Sequence, residues 1–453
     1  MENEQRISSY VIPVEVTADK YMLIHGYCGS IDVIEKNAWD NLKTGLFNKT
    51  SNDKELIEYL IKRGHVTKMT REEEMAYVMR LAKALHKKDM ILCTSYTLVV
   101  TYDCNFRCPY CFELNTMTDE LREQTMTRDV VDKAFDIIDK TQESKIKKAS
   151  RVALFGGEPL LAKNHDIISY IVDKGVTRGL KFNAITNGYD LMHYKDLLSP
   201  DKIYHLQITL DGVEDMHNKK RPHCMGYPTF RRIISNIGMA LENNVAITIR
   251  FNTDKQNVAQ LQNLKELFDD LGFTKHKKFG FESARLLNYD MTLSHKERQQ
   301  FMTPSELIKV QDDMNFEYGY QDFGAYSNIY NAICKKKPLT YKATFCGSQI
   351  GAYMFDPLYK IYPCWDVVGK KEFVIGDFSS GNIEWNIQRR DEWNTSDITA
   401  YKDCSMCKFA LLCGGGCVAN RPNNHCTQMY DIIKYATKRA YANFNNINHK
   451  NYE

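Results

Sequence analysis

From Tyr96 to about residue 330 the chain alternates short apolar, β-branched runs with longer stretches of helical period. The runs are Tyr96–Thr101, Arg151–Phe155, Lys181–Ile185, His205–Leu210, Ala246–Phe251 and Lys278–Glu282. Between them, Arg128–Lys140, Asp166–Lys174, Phe230–Glu242 and Val258–Leu271 carry helical patterns. Alternation at this spacing predicts βαβ units and a parallel sheet. Right-handed crossovers repeated six times curl such a sheet towards a partial or full barrel. From about 331 the pattern gives way to Gly, Asn, Asp, aromatic residues and cysteine, closing with a helix near Gln428–Asn443. No internal repeat, low-complexity segment or charge block interrupts it.

Residues 1–90 read as a separate unit. Tyr10–Val16 and Tyr21–His25 have hairpin character, and Gly29–Ile34 adds a third strand. Glu35–Leu46 and Lys54–Arg63 are helical in pattern, the second stopped by Gly64 as a left-handed C-cap. Thr70-Arg71-Glu72-Glu73 fits a capping box that opens a helix to about Lys88. Strands followed by three short helices resemble a winged helix-turn-helix; the alternative is an extension that only packs on the main body. The expected organisation is therefore 1–90, 91–330 and 331–453, in keeping with a prior of roughly 150 residues per domain.

At 43% hydrophobic and 26% charged residues the composition is that of an ordinary globular chain. A net charge of +3 gives no footprint for a nucleic-acid binder. No apolar run reaches membrane-spanning length, and the start has no basic end followed by an apolar stretch, so the expectation is a cytoplasmic protein with neither nucleic-acid nor membrane partner. The outlier is cysteine. Of 14 in 453 residues, three fall within Cys104–Cys111 and five within Cys404–Cys426, with Cys346 and Cys364 between. In a reducing compartment such clusters more often hold metal or do redox work.

Cys104-Asn105-Phe106-Arg107-Cys108-Pro109-Tyr110-Cys111 directly follows the first strand. Three thiolates at these spacings can hold three irons of a cubane and leave the fourth open to a small ligand. A structural zinc normally takes four ligands, and no fourth Cys or His lies nearby in sequence. The segment resembles the Cys-x-x-x-Cys-x-x-Cys signature of the radical S-adenosylmethionine (SAM) enzymes. The resemblance implies a 4Fe–4S cluster whose open iron is chelated by SAM, with one-electron cleavage yielding a 5′-deoxyadenosyl radical. Gly156-Gly157-Glu158-Pro159 is similar to the family's Gly-Gly-Glu-Pro motif at the methionine amino group; its glycines permit close backbone approach to a ligand. Thr186-Asn187-Gly188 closes the third strand, where the family lines the same pocket. Thr209-Leu210-Asp211-Gly212, with His217 and Arg221 beyond, resembles the Ser-x-Asp-Gly segment. Arg250 is a candidate partner of the cofactor carboxylate, and Tyr110 of its adenine. Each has an alternative as a cap, turn or core residue, yet all lie at strand C-termini, where barrel chemistry is expected.

Cys404, Cys407, Cys413 and Cys417 alone would also suit a zinc ribbon. With Cys346, Cys364 and Cys426 the series resembles the SPASM domain, which carries two auxiliary 4Fe–4S clusters. The family's crossed ligation implies Cys346, Cys364 and Cys417 for an inner cluster, and Cys404, Cys407, Cys413 and Cys426 for an outer one. Unhindered Gly414-Gly415-Gly416 amides can point at cluster sulfurs. The inner cluster is one ligand short, leaving it either closed by Cys334 or open to a substrate thiolate. Tyr359 departs from the pattern, which has glycine there.

The resemblance covers about 98–435 and implies a peptide maturase in which the N-terminal unit acts as a precursor-recognition element, pairing a strand with a leader peptide. The implied reaction cross-links a ribosomally made precursor, first of all by a Cys thioether to carbon. Three 4Fe–4S clusters, SAM and an electron donor such as flavodoxin or ferredoxin complete the expectation. Alternatives within the family are a C–C cross-link, epimerisation, or an anaerobic sulfatase maturase forming formylglycine. In that enzyme an Asp directly follows the second SPASM cysteine, whereas here it is one residue later, at Asp366, a candidate catalytic base. Outside it stands a non-catalytic iron–sulfur electron-transfer protein, against which the open-iron triplet argues.

Overall fold

The computed structural model describes residues 5–44, 51–92, 94–113, 118–287, 298–314, 319–320, 324–419 and 429–450. It divides into two compact units. One is built from Ile91–Gln321 and Gly351–Trp393, the other from Met1–Met90, Asp322–Ile350 and Asn394–Glu453.

In the first unit, Tyr96–Thr101, Arg151–Gly156, Lys181–Thr186, Ile203–Thr209, Ala246–Thr253 and Phe279–Arg285 lie side by side in chain order, all parallel. This is the α/β architecture expected from the alternation, since each crossover returns to the neighbouring position. The six residues of Tyr96–Thr101 are all buried, as a strand covered on both faces must be. Ala246–Thr253 instead alternates, burying Ile247, Ile249, Phe251 and Thr253. The crossover helices bury one stripe each; His165–Val176 turns in Ile168, Ile171 and Val172.

The expected element boundaries move by one to three residues. Ile203–Thr209 starts two residues before His205, Phe279–Arg285 runs three beyond Glu282, and the helix Gln260–Asp270 begins two after Val258. The segment after 331 hid more. Tyr353–Phe355 pairs in parallel with Tyr96–Leu98, and Lys360–Tyr362, Gly376–Asp377 and Glu384–Trp385 extend the sheet as an antiparallel meander; with Gly319–Tyr320, parallel to Phe279–Arg285 at the far edge, the sheet has eleven strands among the described residues. Strands of two or three residues are too short to show a period.

The second unit opens with an antiparallel sheet of Val11–Thr17, Lys20–His25 and Ile31–Glu35, followed by the helices Lys36–Lys43, Ser51–Lys62 and Arg71–Leu92. Gly64 takes the expected left-handed conformation at φ +83°. The capping box is present: Glu73 N–H donates to Thr70 Oγ1 at 3.1 Å, and Thr70 N–H to Glu73 Oε2 at 2.8 Å. Leu23, Ile34, Trp39, Leu42 and Leu60 form one core. A second core joins Tyr10, Val78 and Ala82 to Ala343, Ile398, Ala410 and Leu411, with Cys404 and Cys407 against it. Tyr10 donates to the Ser405 carbonyl at 2.7 Å, and Tyr341 to that of His25 at 2.7 Å. His86 bridges Asp397 (2.8 Å) and the Gln349 carbonyl (3.1 Å). The helix Met429–Lys450, longer than the periodicity suggested, meets Ala325–Cys334. Among the described residues no helix is long and apolar enough to cross a membrane.

Residues 1–90 thus share a core with the cysteine-rich segments. Deleting them removes the Tyr10, Val78 and Ala82 side of it, at about 1.5–3 kcal/mol per large apolar side chain against a domain stability of about 5–15 kcal/mol. A chain beginning at residue 91 is expected to lose its cooperative melt and the single sharp peak of a folded protein in size-exclusion chromatography. An unchanged melt would show that this core is dispensable.

Candidate functional site

The cysteine loop leaves the end of Tyr96–Thr101 and is held from three sides. Cys104 N–H donates to Asp103 Oδ1 (2.8 Å), and Lys163 reaches Asp103 Oδ2 at 2.6 Å. Arg107 N–H donates to the Pro222 carbonyl and Cys224 N–H to that of Asn105, at 2.9 and 2.8 Å. From the second strand, Gly157 N–H donates to Thr101 O (3.0 Å) and Glu158 N–H to Asp103 O (2.7 Å). A Cβ at Gly156 would stand 2.2 Å from Thr101 O, and one at Gly157 2.4 Å from Asp103 O. The two glycines permit this close backbone approach.

Cys104, Cys108 and Cys111 line one cavity of about 30 Å³ with Tyr102, Phe106, Glu113 and Arg122. Desolvation lifts all three thiols above their ordinary range, Cys111 to about 12, with Glu113 adding to the Cys111 shift and Glu158 to that of Cys104. Iron binding there must release protons, as thiolate ligation always does. Among the described residues no His, Cys, Asp or Glu group is disposed to hold a single metal ion. Three thiols are the donor chemistry that fits a cubane, in which each cysteine grips a different iron.

Glu158 is buried, and desolvation raises it to about 7 against the opposing N–H of Asn187, the hydroxyl of Thr186 and the N–H of Leu160. The donor distances are 2.5, 2.6 and 2.9 Å. Asn187 Nδ2 donates in turn to Asn105 Oδ1 in the cysteine loop at 2.7 Å. The Pro159 carbonyl accepts from Asn164 at 3.2 Å.

A second group gathers at the ends of the fourth and fifth strands. Tyr110 donates its hydroxyl proton to Asp211 and accepts from Arg221 Nη1 at 2.6 Å. Asn252 N–H donates to Asp211 Oδ1 (3.2 Å), and Arg250 Nε to Asn252 Oδ1 (2.9 Å). Thr209 lies beside Arg250 in the register. Burial pushes Asp211 upward, opposed chiefly by Arg221. Arg221 Nε and His217 Nε2 are buried without a hydrogen-bond partner in the described structure, orphaned donors or acceptors that a ligand would satisfy. Tyr110, Asp211, Arg221 and Arg250 thus converge, whereas Glu158 and Asn187 form a separate group joined to the cysteine loop. Asn105, Asn252 and the buried Glu113, raised by burial to about 8, escaped the sequence reading because nothing local distinguishes them.

Trp365 packs on Phe155 with centroids 5.7 Å apart, setting the turn of Cys364 and Asp366 beside the second strand's end. Cys364 is buried. The neighbouring hairpin places Tyr359 at φ +62°, the conformation a glycine would favour; its hydroxyl holds Asp129 at 2.7 Å and Lys133 lies 5.0 Å from its ring.

In the other unit Gly414, Gly415 and Gly416 all have left-handed φ, from +77° to +88°. A Cβ on Gly414 would fall 2.2 Å from Thr344 O, so this glycine brings the Cys413–Cys417 segment against the one leading to Cys346. Cys346 opens the turn Gly347–Gln349, with Gln349 Oε1 accepting from the N–H groups of Phe345 and Cys346 at 2.6 and 3.2 Å. Cys334 Sγ donates to the Ala440 carbonyl at 3.2 Å. Cys426 lies outside the described residues.

Residues 98–268 match the model of the Radical SAM superfamily. The chain therefore carries a Radical SAM domain, and such a domain implies a 4Fe–4S cluster and SAM. Over 381 residues it is 23% identical to a cysteine-type anaerobic sulfatase-maturating enzyme of Clostridium perfringens, covering 76% of this chain and 96% of that one. It is 20% identical to the radical SAM cyclopropyl synthase TigE of Paramaledivibacter caminithermalis, covering 98% and 97%. Among solved structures it is similar to anSMEcpe with bound AdoMet (TM-score 0.57, 19% identity, 78% of this chain and 96% of that one). It is also similar to Streptococcus suis SuiB bound to its precursor peptide SuiA (TM-score 0.52, 14% identity, 92% and 97%).

The glycine contacts make a direct prediction. Gly156→Ala sets a methyl into backbone and adds strain at φ +143°, whereas Gly179→Ala, at φ +73° with nothing within 4 Å, adds strain alone. Urea unfolding is expected to show a loss of about 1 kcal/mol at Gly179 and about 3 kcal/mol or more at Gly156. Equal losses would mean that the loop approach is loose.

Proposed function

We propose that this chain is a cytoplasmic radical SAM peptide maturase that forms a cross-link in a ribosomally made precursor, first of all a Cys thioether to carbon. The observation that carries the reading is the convergence of Cys104, Cys108 and Cys111 on one cavity within a Radical SAM domain. In this reading those three cysteines hold the cluster that, with SAM, supplies hydrogen abstraction. Tyr110, Asp211, Arg221 and Arg250 form the polar wall for the cofactor beside Thr209. Gly156-Gly157-Glu158-Pro159 and Asn187 brace the loop from the opposite side. The peptide substrate is supported by SuiB, which binds SuiA and resembles 92% of this chain.

The N-terminal sheet and helices serve as the leader-recognition element, and residues 331–453 hold the two auxiliary clusters. The tight approach of Gly414 to Thr344 supports shared ligation by Cys346 and Cys417; Cys364 is assigned to the same cluster by the SPASM resemblance alone. Cys404, Cys407, Cys413 and Cys426 are assigned to the outer cluster. Asp366, the residue after Trp365, is the proposed base. An open inner cluster accommodates the acceptor cysteine as thiolate, since iron lowers a thiol's pKa and fixes its sulfur. The engagement of Cys334 with Ala440 supports that version.

Two relatives favour other bonds on the same machinery. The sulfatase maturase similarity favours formylglycine formation but leaves about a quarter of this chain uncovered. TigE, matched over nearly the whole chain, favours a carbon–carbon product.

Protein purified without oxygen is expected to hold about twelve irons. Replacing Cys104, Cys108 and Cys111 together by Ala should remove a third of them and all 5′-deoxyadenosine release; retained cleavage would contradict the assignment. Cys334→Ala should leave the iron content and cross-linking near normal, whereas loss of an auxiliary cluster would show a closed site.

A further inference from the structure

A cavity of about 780 Å³ opens on the first unit, with no role in the site described above. Its walls come from two stretches far apart in sequence, the helix Asp119–Arg122 with its flanks and the meander from Leu358 to Asn386. Tyr102, Leu121, Tyr362 and Val374 give it an apolar floor, all four packed into one cluster with Val99 and Phe155 of the first two strands. The Tyr102 ring is fixed in that floor, because its hydroxyl donates to Asp356 Oδ2 at 2.8 Å. The volume falls within the range of about 300–1,000 Å³ usual for sites that enclose a ligand.

Two features tie this cavity to the thiols. Tyr102 lines both it and the small cavity of Cys104, Cys108 and Cys111. On the short helix, Leu121 faces the large cavity and Arg122 the small one. A ligand lying on the floor is thus separated from the cysteine cavity by a shared wall of side chains.

The rim carries charge. Glu120, Lys371 and Glu384 are exposed, and so is Leu358 at 39%. Lys360 is neutralised by Asp377. The Glu120 carboxylate is held by the Thr118 hydroxyl, and neither it nor Glu384 has a cationic partner among the described residues. Set against Lys371, two carboxylates leave the rim negative.

We propose that this cavity holds the segment of the precursor peptide that is modified, and that Glu120 and Glu384 select a basic side chain, Lys or Arg, flanking the reacting residue. The inference rests on the maturase reading and adds which sequences the enzyme accepts. An extended segment lays its apolar side chains on the Tyr102–Val374 floor and its basic ones against the rim carboxylates. Apolar burial supplies affinity, and charge supplies choice. Each exposed pair is weak alone, so two together discriminate by about tenfold at low salt. Acidic flanks are rejected by the same carboxylates through repulsion.

The test uses fluorescent peptides identical except for Lys, Gln or Glu on both sides of a central Cys, each carrying a photoreactive benzophenone. Binding to the full-length, iron-loaded protein is followed by anisotropy, and the cross-linked segment is mapped by mass spectrometry. The Lys peptide is expected to bind at least about tenfold tighter than the Glu peptide, a preference that shrinks with added salt. Cross-links should fall in 118–124 or 358–386. Glu120→Gln/Glu384→Gln should reduce the preference to within about twofold. Glu242→Gln/Glu266→Gln, which removes the same charge from exposed positions elsewhere on the unit, should keep it. All four sites are exposed, so both double variants should melt with the wild type. An unchanged preference in Glu120→Gln/Glu384→Gln would overturn the proposal, as would equal binding of the peptides to wild type or cross-links confined to other segments. Failure of the underlying reading would look different. Lys preference and cross-links in the cavity, without hydrogen transfer from any peptide to 5′-deoxyadenosine, would overturn the maturase reading while the peptide site stood.

Discussion

The cysteine loop depends on a backbone contact that only glycine permits. Gly156 and Gly157 bring the end of the second strand onto the carbonyls of Thr101 and Asp103, where a Cβ would stand little more than 2 Å away. That contact aligns Glu158 N–H with Asp103 O and lets Asp103 receive Cys104 N–H. The Glu158 carboxylate then gathers Thr186 and Asn187 from the third strand, and Asn187 returns to Asn105 between the first two cysteines. Parallel strands supply the elements, but this closed circuit of backbone and amide bonds positions the thiols. Such a circuit, satisfied on every side, resists deformation more than its separate bonds would.

A similar logic holds in the other unit. Gly414 presses on Thr344, Gln349 gathers Phe345 and Cys346, and His86 ties the Gln349 carbonyl to Asp397. Because His86, Tyr10 and Val78 come from residues 1–90, the N-terminal segment is part of the scaffold of the cysteine-rich region. Under the proposed function, an element that recognises a peptide and also braces cluster ligands would couple the two tasks through this shared core.

Much of this was legible in the chain. Six apolar runs and the helical periods between them announced the parallel sheet, and the Cys104–Cys111 spacing announced its chemistry. Gly64 and the Thr70–Glu73 box were readable because helix termini are local. What escaped depends on partners distant in sequence. Asn252 matters through Asp211 and Arg250, and Asn105 through Asn187; neither lies in a distinctive pattern. The meander from Tyr353 to Trp385 is held by strands too short to carry a period. Tyr359 broke an expected glycine position, yet it takes the left-handed turn because Asp129 and Lys133 anchor its ring and hydroxyl.

The central claim is that this site turns one electron and SAM into hydrogen abstraction from a peptide. Its most direct test incubates the anaerobically purified protein, SAM and a reductant with the cysteine-containing precursor, using peptide deuterated at carbon. The account predicts deuterium in the released 5′-deoxyadenosine and a product peptide lighter by the hydrogens lost on cross-linking. Deuterium-free 5′-deoxyadenosine alongside an unmodified peptide would contradict it.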